Sequence, residues 1–141
     1  MYVKQISVFI ENAKGKLGEF TELIAKNSID FVSMSIADTT SFGILRGIVS
    51  NWQSAIKVIE QAGYTACVND VLAVVVPDRP GGLANILKLL SDEDISIEYL
   101  YSFVRRKGED ALIVFRVEEI DKAATILSAN GISMISQEDI R

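Results

Sequence analysis

Two short stretches of the sequence share a glycine turn that could bind an anion. "ENAKGKLGEF" spans residues 11–20 and "PDRPGGLANI" spans residues 77–86. In each stretch, Asn or Asp is followed three residues later by Gly and two residues after that by Leu, where an apolar helical pattern begins. A helix start presents backbone N–H groups without intrahelical partners, and its dipole favours a carboxylate or another anion. The alternative is a glycine that only makes the turn, with Asn12 or Asp78 capping the backbone.

The composition argues against several kinds of site. The chain has no His and one Cys, Cys67, so an internal disulfide is impossible and a zinc site or an activated nucleophile has almost nothing to be built from. The net charge of −5 disfavours nucleic acid as a partner, because such binding needs clustered Lys and Arg. Metal coordination by carboxylates alone stays open, but no Asp-rich loop of calcium-binding spacing is present. We therefore expect no catalysis, no metal, no cofactor and no nucleic-acid partner.

The sequence also predicts a cytoplasmic location without membrane contact. The N-terminal segment "MYVKQISVFIEN" lacks a basic region followed by a long apolar stretch, so it does not have the pattern of a signal peptide. The longest apolar run, "VLAVVV", is too short to span a bilayer. Hydrophobic residues make up 49% of the chain, which is ample for a buried core.

The glycine turns belong to a longer internal repeat. Gly15 aligns with Gly81 at a spacing of 66 residues, and Gly63 aligns with Gly131 at a spacing of 68 residues. The two extra residues fall in the turn "RRKGED", which is longer than its counterpart "DTTSF". A long period that occurs only twice indicates a duplicated small domain, with domain 1 at residues 1–69 and domain 2 at residues 70–141.

Each copy has the hydrophobic patterning of a βαββαβ unit. This order predicts an α+β fold of the ferredoxin-like type, in which a four-stranded antiparallel sheet carries both helices on one face. Because "VND" (68–70) leaves no slack between the copies, we expect the two units to pack side by side. The predicted elements are 3–10, 16–27, 29–37, 43–50, 51–63 and 64–69 in copy one, and 71–76, 82–92, 95–103, 111–117, 119–130 and 132–137 in copy two.

The sheet face away from the helices is also largely apolar. Ile44, Ile48, Leu112 and Val114 lie on that face, where a sheet with one solvated side would alternate more cleanly with polar residues. Modest surface hydrophobicity, which is common, is one explanation of this pattern. Burial by the sister unit or by another chain is the other, and the repetition of the apolar positions in both copies favours it. Two-fold pairing is the commonest way to cover such a surface, so we expect a homodimer.

The repeat resembles a tandem pair of ACT domains, small amino-acid-sensing modules often attached to enzymes of amino-acid metabolism. The resemblance is carried by the βαββαβ order, the unit length and the [Asn/Asp]-x-x-Gly-x-Leu turn. "DRPGGL" matches the common form of that turn including Pro80, whereas "NAKGKL" has Lys14 in place of the proline. "SFGILRGIV" is similar to the second hairpin of stand-alone tandem ACT proteins. No enzyme segment flanks the pair, so we expect any regulated enzyme to be a separate chain.

The resemblance implies a free amino acid as ligand, held between the turn of one unit and the second strand of its neighbour, in a module for allosteric regulation. The ligand carboxylate would bind N–H groups at the helix start, and its ammonium would bind strand carbonyls, Asn12 or Asp78. The ligand-binding residues that it implies are Asn12, Gly15, Lys16 and Leu17 with Leu100, Tyr101 and Ser102, and reciprocally Asp78, Gly81, Gly82 and Leu83 with Met34, Ser35 and Ile36.

Two other interpretations concern the same elements. Tyr99, Tyr101 and Phe103 form an aromatic stripe in "YLYSF", and packing explains at least two of the three better than ligand contact does. A module that docks a partner or assembles copies, without a ligand, is the main alternative function. The turns distinguish the two, since a docking module would not need two anion-receptive helix starts.

Overall fold

The structure, a computed structural model, describes residues 2–38, 41–103 and 110–140. Most of the predicted turn "RRKGED" and part of "DTTSF" lie outside the described residues, so the position of the two-residue insertion stays a prediction. The elements are β1 (Val3–Glu11), α1 (Lys16–Lys26), β2 (Phe31–Asp38), β3 (Phe42–Val49), α2 (Trp52–Gln61), β4 (Ala66–Val76), α3 (Gly82–Asp92), β5 (Ile97–Ser102), β6 (Ala111–Val117), α4 (Ile120–Ala129), β7 (Met134–Ile135) and a 3₁₀ turn at Gln137–Asp139.

This order confirms the predicted α+β class and the repeated βαββαβ arrangement. The chain divides into two compact units, which we call the N-terminal unit (Lys4–Asn69) and the C-terminal unit (Asp70–Ile140 together with Tyr2 and Val3). Their side-by-side packing stays a prediction.

Strand β4 corrects the predicted strands near residue 70. Strands at 64–69 and 71–76 were expected, and a single strand runs from Ala66 to Val76. Asn69 and Asp70 are residue types disfavoured in strands, which is why the sequence indicates a break there. In the structure both have partners: the Ser7 hydroxyl donates to Asn69 Oδ1 at 2.8 Å, and Arg116 Nη1 donates to the Asp70 carbonyl at 3.1 Å.

The last strand is also shorter than the predicted 132–137. It comprises Met134–Ile135 and gives way to the 3₁₀ turn. The Ser136 hydroxyl donates to Asp139 Oδ2 at 2.9 Å, a local side-chain bond of the kind that competes with strand pairing.

In the N-terminal unit, β3 pairs antiparallel with both β1 and β2. The register places Ile10 opposite Gly43 and Ile36 opposite Leu45. On the other side of β1, the Phe9 N–H donates to the Thr65 carbonyl at 3.0 Å. The helices pack on one sheet face and cover a hydrophobic core. The buried residues of this core are Ile6, Val8, Ile10, Phe20, Ile24, Ile29, Leu45, Val49, Ala55 and Ile59.

The C-terminal unit repeats this arrangement, with β6 paired to β4 and β5, and β4 also paired to β7. Val76 lies opposite Ala111 and Ser102 lies opposite Ile113, so the register matches that of the N-terminal unit position by position. Helices α3 and α4 bury Ile86, Leu90 and Leu127 against this sheet. Full burial of side chains of this size stabilises a fold by about 1.5–3 kcal/mol each.

The sheet face without helices is less exposed than the dimer argument assumed. Ile48 and Val114 are fully buried and Leu112 is 5% exposed in the single chain, and Ile44 is half-buried. On the same face, Phe9 lies opposite Ile44 and Phe42 lies opposite Glu11, and both rings keep about half of their surface exposed. Among the described residues, the large hydrophobic side chains with the greatest exposure are Phe9 (48%), Leu17 (40%), Met34 (39%), Ile36 (44%), Phe42 (52%) and Leu100 (37%).

Candidate ligand-binding site

Both predicted glycine turns have the same backbone geometry. Gly15 has φ 84° and ψ −9°, and Gly81 has φ 88° and ψ −10°, and each is the N-cap of the helix that follows. This left-handed conformation is open to glycine and strained for other L-residues. A Cβ built at either position meets no atom within 4 Å, so the backbone conformation, and not crowding within the chain, explains the glycine.

Glycine caps leave the starts of α1 and α3 without a side-chain acceptor. Neither helix has a side-chain cap, whereas Asn51 caps α2 by accepting from the Ser54 N–H at 3.1 Å. The Lys16 N–H donates to the Ala13 carbonyl at 3.2 Å, and the Gly82 N–H donates to the Arg79 carbonyl at 3.0 Å.

The next amides in each helix remain as donors. Among the hydrogen bonds of residues 2–38, 41–103 and 110–140, none uses the N–H groups of Leu17, Gly18, Leu83 or Ala84. Each helix start therefore presents two adjacent N–H groups at the positive end of the helix dipole, where a carboxylate is stabilised.

A cavity of about 120 Å³ lies beside the first turn, inside the N-terminal unit. It brings together three of the predicted site residues, Asn12, Leu17 and Ile36. Sequence reasoning missed its other apolar walls, Ile10, Gly43 and Leu45, because they meet only through the register of β1, β2 and β3. The predicted site joins a turn to strand 2 of a neighbouring unit, whereas this cavity joins the turn to strand 2 of its own unit.

The predicted strand residues divide between the two sheet faces. Met34 and Ile36 lie opposite Gly47 and Leu45 on the helix-bearing face, whereas Ser35 lies on the other face opposite Arg46. Successive strand side chains alternate between faces, so three consecutive residues cannot all line one pocket with their side chains. Ser35 is thus separated from the cavity that Ile36 lines.

The same alternation holds in β5. Leu100 and Ser102 lie on the helix-bearing face opposite Phe115 and Ile113, whereas Tyr101 lies opposite Val114 on the other face. Tyr101 is 8% exposed and stacks on Tyr99 with ring centroids 6.4 Å apart. Phe103 is also 8% exposed, so two of the three aromatic residues are buried, as the packing interpretation expects.

The second turn differs from the first in its charge and its packing. Asp78 and Arg79 are exposed beside Gly81, and Leu83 packs against the C-terminal core. A Cβ on Gly82 would collide with the Pro77 carbonyl oxygen, so this predicted ligand residue has a packing role. The predicted site did not include Arg79. Its side chain is a cation in a turn that is expected to bind a carboxylate, and the sequence alone shows this.

Lys16 does not line the cavity of about 120 Å³, although its neighbour Leu17 does. It lines a second cavity of about 350 Å³ in the N-terminal unit, together with Phe9, Phe42 and Tyr64. Its Nζ is 3.6 Å from the carboxylate of Glu19, and both side chains are well exposed. An exposed pair of this kind contributes little to stability.

Two further observations bear on the excluded classes of site. In the described part of the chain, no group of three or more His, Cys, Asp or Glu side chains is placed to hold a metal ion. None of the described helices is long and apolar enough to cross a membrane.

A family model described as an ACT domain pair matches residues 1–141. The chain belongs to the ACT domain pair family. This confirms the resemblance drawn from the glycine turns and the element order. ACT domains are regulatory modules and not catalytic ones.

The ACT pair is similar to several solved structures. It is 37% identical to protein BT0572 from Bacteroides thetaiotaomicron, with a TM-score of 0.93 over 99% of this chain and 95% of that chain. It shares its fold with the regulatory subunit of aspartate kinase from Thermus thermophilus, at 14% identity and a TM-score of 0.64 over 89% of this chain and 91% of that chain. The corresponding subunit from Thermus flavus gives 15% identity and a TM-score of 0.62 over 89% of this chain and 90% of that chain. No curated protein matches the sequence.

Proposed function

We propose that this ACT pair is a non-catalytic sensor that binds a free amino acid at its glycine turns. The main support is that the start of α1, which has no side-chain cap, borders a partly apolar cavity. Leu17 belongs to both, since it lies in the first turn of α1 and lines the cavity. A free amino acid needs donors for its carboxylate, acceptors for its ammonium and a surface matched to its side chain. The amides of Leu17 and Gly18 offer the donors, and the carbonyls and side chains near Asn12 offer acceptors.

The energetics favour a ligand bound mostly through the backbone. A carboxylate that loses water without regaining hydrogen bonds is strongly disfavoured, so two adjacent N–H groups at a helix start are a suitable replacement. Because backbone groups satisfy the charged ends, a few side chains around the cavity determine which amino acid binds. The same reasoning extends to α3, where the amides of Leu83 and Ala84 occupy the equivalent positions. Closure of each site by strand 2 of a neighbouring unit, as the resemblance implies, remains part of the proposal.

Regulation follows if binding changes the surface that the ACT pair offers to an enzyme. Structural neighbours of the chain include regulatory subunits of aspartate kinase, and we propose that this pair acts in the cytoplasm on a separate enzyme of amino-acid metabolism. The signal that the enzyme receives is the occupancy of the turns by a small zwitterion.

Thermal-shift measurements with each of the twenty amino acids test the sensor function. A ligand at about one hundred times its dissociation constant adds roughly 2.7 kcal/mol to the free energy of unfolding. For hits, ¹⁵N NMR should show the largest shifts at the amides of Leu17 and Gly18 or of Leu83 and Ala84. Failure of all twenty amino acids to stabilise the chain would reject the sensor function.

The second candidate is a docking or assembly module without a ligand. It is favoured by the exposed rings of Phe9 and Phe42, which line the larger cavity of the N-terminal unit. Because the two rings line one cavity, they form a joint exposed apolar patch, which is the kind of surface that contacts another protein. If no amino acid binds while substitution of these rings changes the assembly state, the docking function replaces the sensor function.

A further inference from the structure

The cavity of the N-terminal unit has a floor and a mouth of apolar side chains. Ile10 and Leu45 are buried and form the floor, whereas Leu17 and Ile36 are about 40% exposed and form the mouth. The volume of about 120 Å³ is somewhat smaller than the 150 Å³ or so of an apolar cavity known to bind benzene. The space therefore fits an apolar group of about four carbon atoms.

Gly43 determines how much of this space is open. It lies opposite Ile10 in the sheet, and a Cβ built on it makes ordinary contact with Ile36 Cγ2 at 3.4 Å without a collision. A methyl group at this position would therefore be tolerated by the fold and would occupy part of the cavity. Glycine in a strand interior is unfavourable for the sheet and often marks a place where another group approaches closely.

The C-terminal unit supplies an internal comparison. Ala111 lies opposite Val76, where Gly43 lies opposite Ile10, and Ser102 lies opposite Ile113, where Ile36 lies opposite Leu45. The C-terminal unit thus has one methyl group more than Gly43 offers and a hydroxyl group in place of the Ile36 side chain, so the equivalent space has a different shape and a more polar border. The two copies also differ on the cavity floor, where Val76 and Ile113 occupy the positions of Ile10 and Leu45.

No charged side chain forms part of the cavity floor, which consists of Ile10 and Leu45. Glu11 is among the lining residues, but it lies opposite Phe42 on the strand face away from Ile10. It also lines the larger cavity with Phe9 and Phe42. A charged ligand side chain entering between Ile10, Leu45 and Ile36 would lose its hydration without gaining a partner, which is strongly unfavourable.

From these observations we infer that the cavity of the N-terminal unit takes the branched aliphatic side chain of leucine, isoleucine or valine, and that Gly43 sets this specificity. The inference rests on the proposed sensor function and deepens it. The ligand carboxylate binds the start of α1, and its methyl groups enter between Leu17 and Ile36 to reach Leu45. The C-terminal unit, with Ala111 and Ser102, does not offer the same apolar space.

Isothermal titration calorimetry on the full chain tests this inference. Leucine, isoleucine and valine should bind, and alanine should bind roughly 10- to 100-fold more weakly than leucine, since it leaves most of the cavity empty. Lysine and aspartate should bind more weakly than leucine. Gly43→Ala should weaken leucine binding roughly 10- to 200-fold, the range found for one carbon too many in an apolar pocket.

Ala111→Val is the matched control, because it adds carbon atoms at the equivalent position of the C-terminal unit. It should leave leucine affinity within about twofold of the parent chain. Melting curves without ligand establish that both variants fold, and Gly43→Ala should melt no lower than the parent chain because alanine replaces glycine in a strand.

The outcomes separate the two levels of the proposal. Tight binding of lysine, aspartate or another polar amino acid in place of leucine would overturn the aliphatic specificity and leave the sensor function standing. Leucine binding that is insensitive to Gly43→Ala would overturn the assignment of the side-chain pocket to this cavity. If no amino acid binds at all, the sensor function itself fails.

Discussion

The carbonyl oxygen of Pro77 occupies the space in which a side chain on Gly82 would have to begin. The turn folds the first residue of α3 back onto the residue that follows β4, and the Gly82 N–H is held there by the Arg79 carbonyl at 3.0 Å. A backbone oxygen cannot move away as the end of a flexible side chain can. The position is therefore fixed by packing in the C-terminal unit.

Gly82→Ala should destabilise the C-terminal unit by about 1–3 kcal/mol, the usual cost of overpacking. Lys16→Ala is the matched control, because Lys16 occupies the equivalent position and already carries a Cβ. It should change the free energy of unfolding by less than about 0.5 kcal/mol. Urea unfolding followed by circular dichroism measures both, and equal midpoints for the two variants would contradict the packing argument.

Gly15 and Gly18 should respond in opposite directions to the same substitution. Gly15→Ala places an L-residue at φ 84° and should cost about 1–2 kcal/mol, or about 3–8 °C in melting temperature. Gly18 lies inside α1 with open space around it, so Gly18→Ala should stabilise the chain by about 0.5–1 kcal/mol. Gly15→Asn should recover part of the loss, since Asn tolerates the left-handed region better than Ala does.

Fluorescence of Trp52 reports these changes in the N-terminal unit, because this single tryptophan packs against the N-terminal core. Loss of stability in Gly18→Ala, or none in Gly15→Ala, would show that the backbone conformation is not the reason for the glycine.

The cap of α2 should be worth about 1 kcal/mol. Asn51→Ala removes the oxygen that accepts from the Ser54 N–H and should lower the unfolding midpoint accordingly. Asn51→Asp keeps an acceptor in the same place and should retain most of the stability. The capping role would be refuted if the aspartate variant were as unstable as the alanine variant, again by Trp52 fluorescence in urea.

The chain should sediment as a homodimer at tens of micromolar. On the helix-free face Ile48 and Val114 are already buried in the single chain, whereas the rings of Phe9 and Phe42 on the same face remain about half exposed. These two rings are the reason to expect pairing. Phe9→Ser combined with Phe42→Ser should shift the mass toward the monomer, and Leu100→Ser, which changes an exposed side chain on the other unit, should not. A monomer mass for the parent chain would exclude the dimer.

Local sequence patterns predicted much of this fold. They predicted little of the site, because the site depends on the pairing of strands that are distant in sequence. The turns at Gly15 and Gly81 and the amphipathic helices depend on residues within about one helical turn of each other, so the sequence contains their signals. The continuity of β4 through Asn69 was missed because a partner distant in sequence, Ser7, overrides its local preference. The wall formed by Gly43 was missed for the same reason, since it meets Ile10 only through the pairing of β1 with β3.

The unpartnered amides at the starts of α1 and α3 also make ligand binding measurable by hydrogen–deuterium exchange. A solvent-facing N–H without an acceptor exchanges its hydrogen for deuterium without any opening of the structure, whereas the bonded N–H groups of Lys16 and Gly82 beside it exchange only after local opening. In the free chain, Leu17, Gly18, Leu83 and Ala84 should therefore exchange faster than Lys16 and Gly82. A carboxylate that binds one turn slows hydrogen exchange at that turn alone. The exchange rates therefore report the occupancy of each turn separately, and the measurement needs neither a label nor the regulated enzyme.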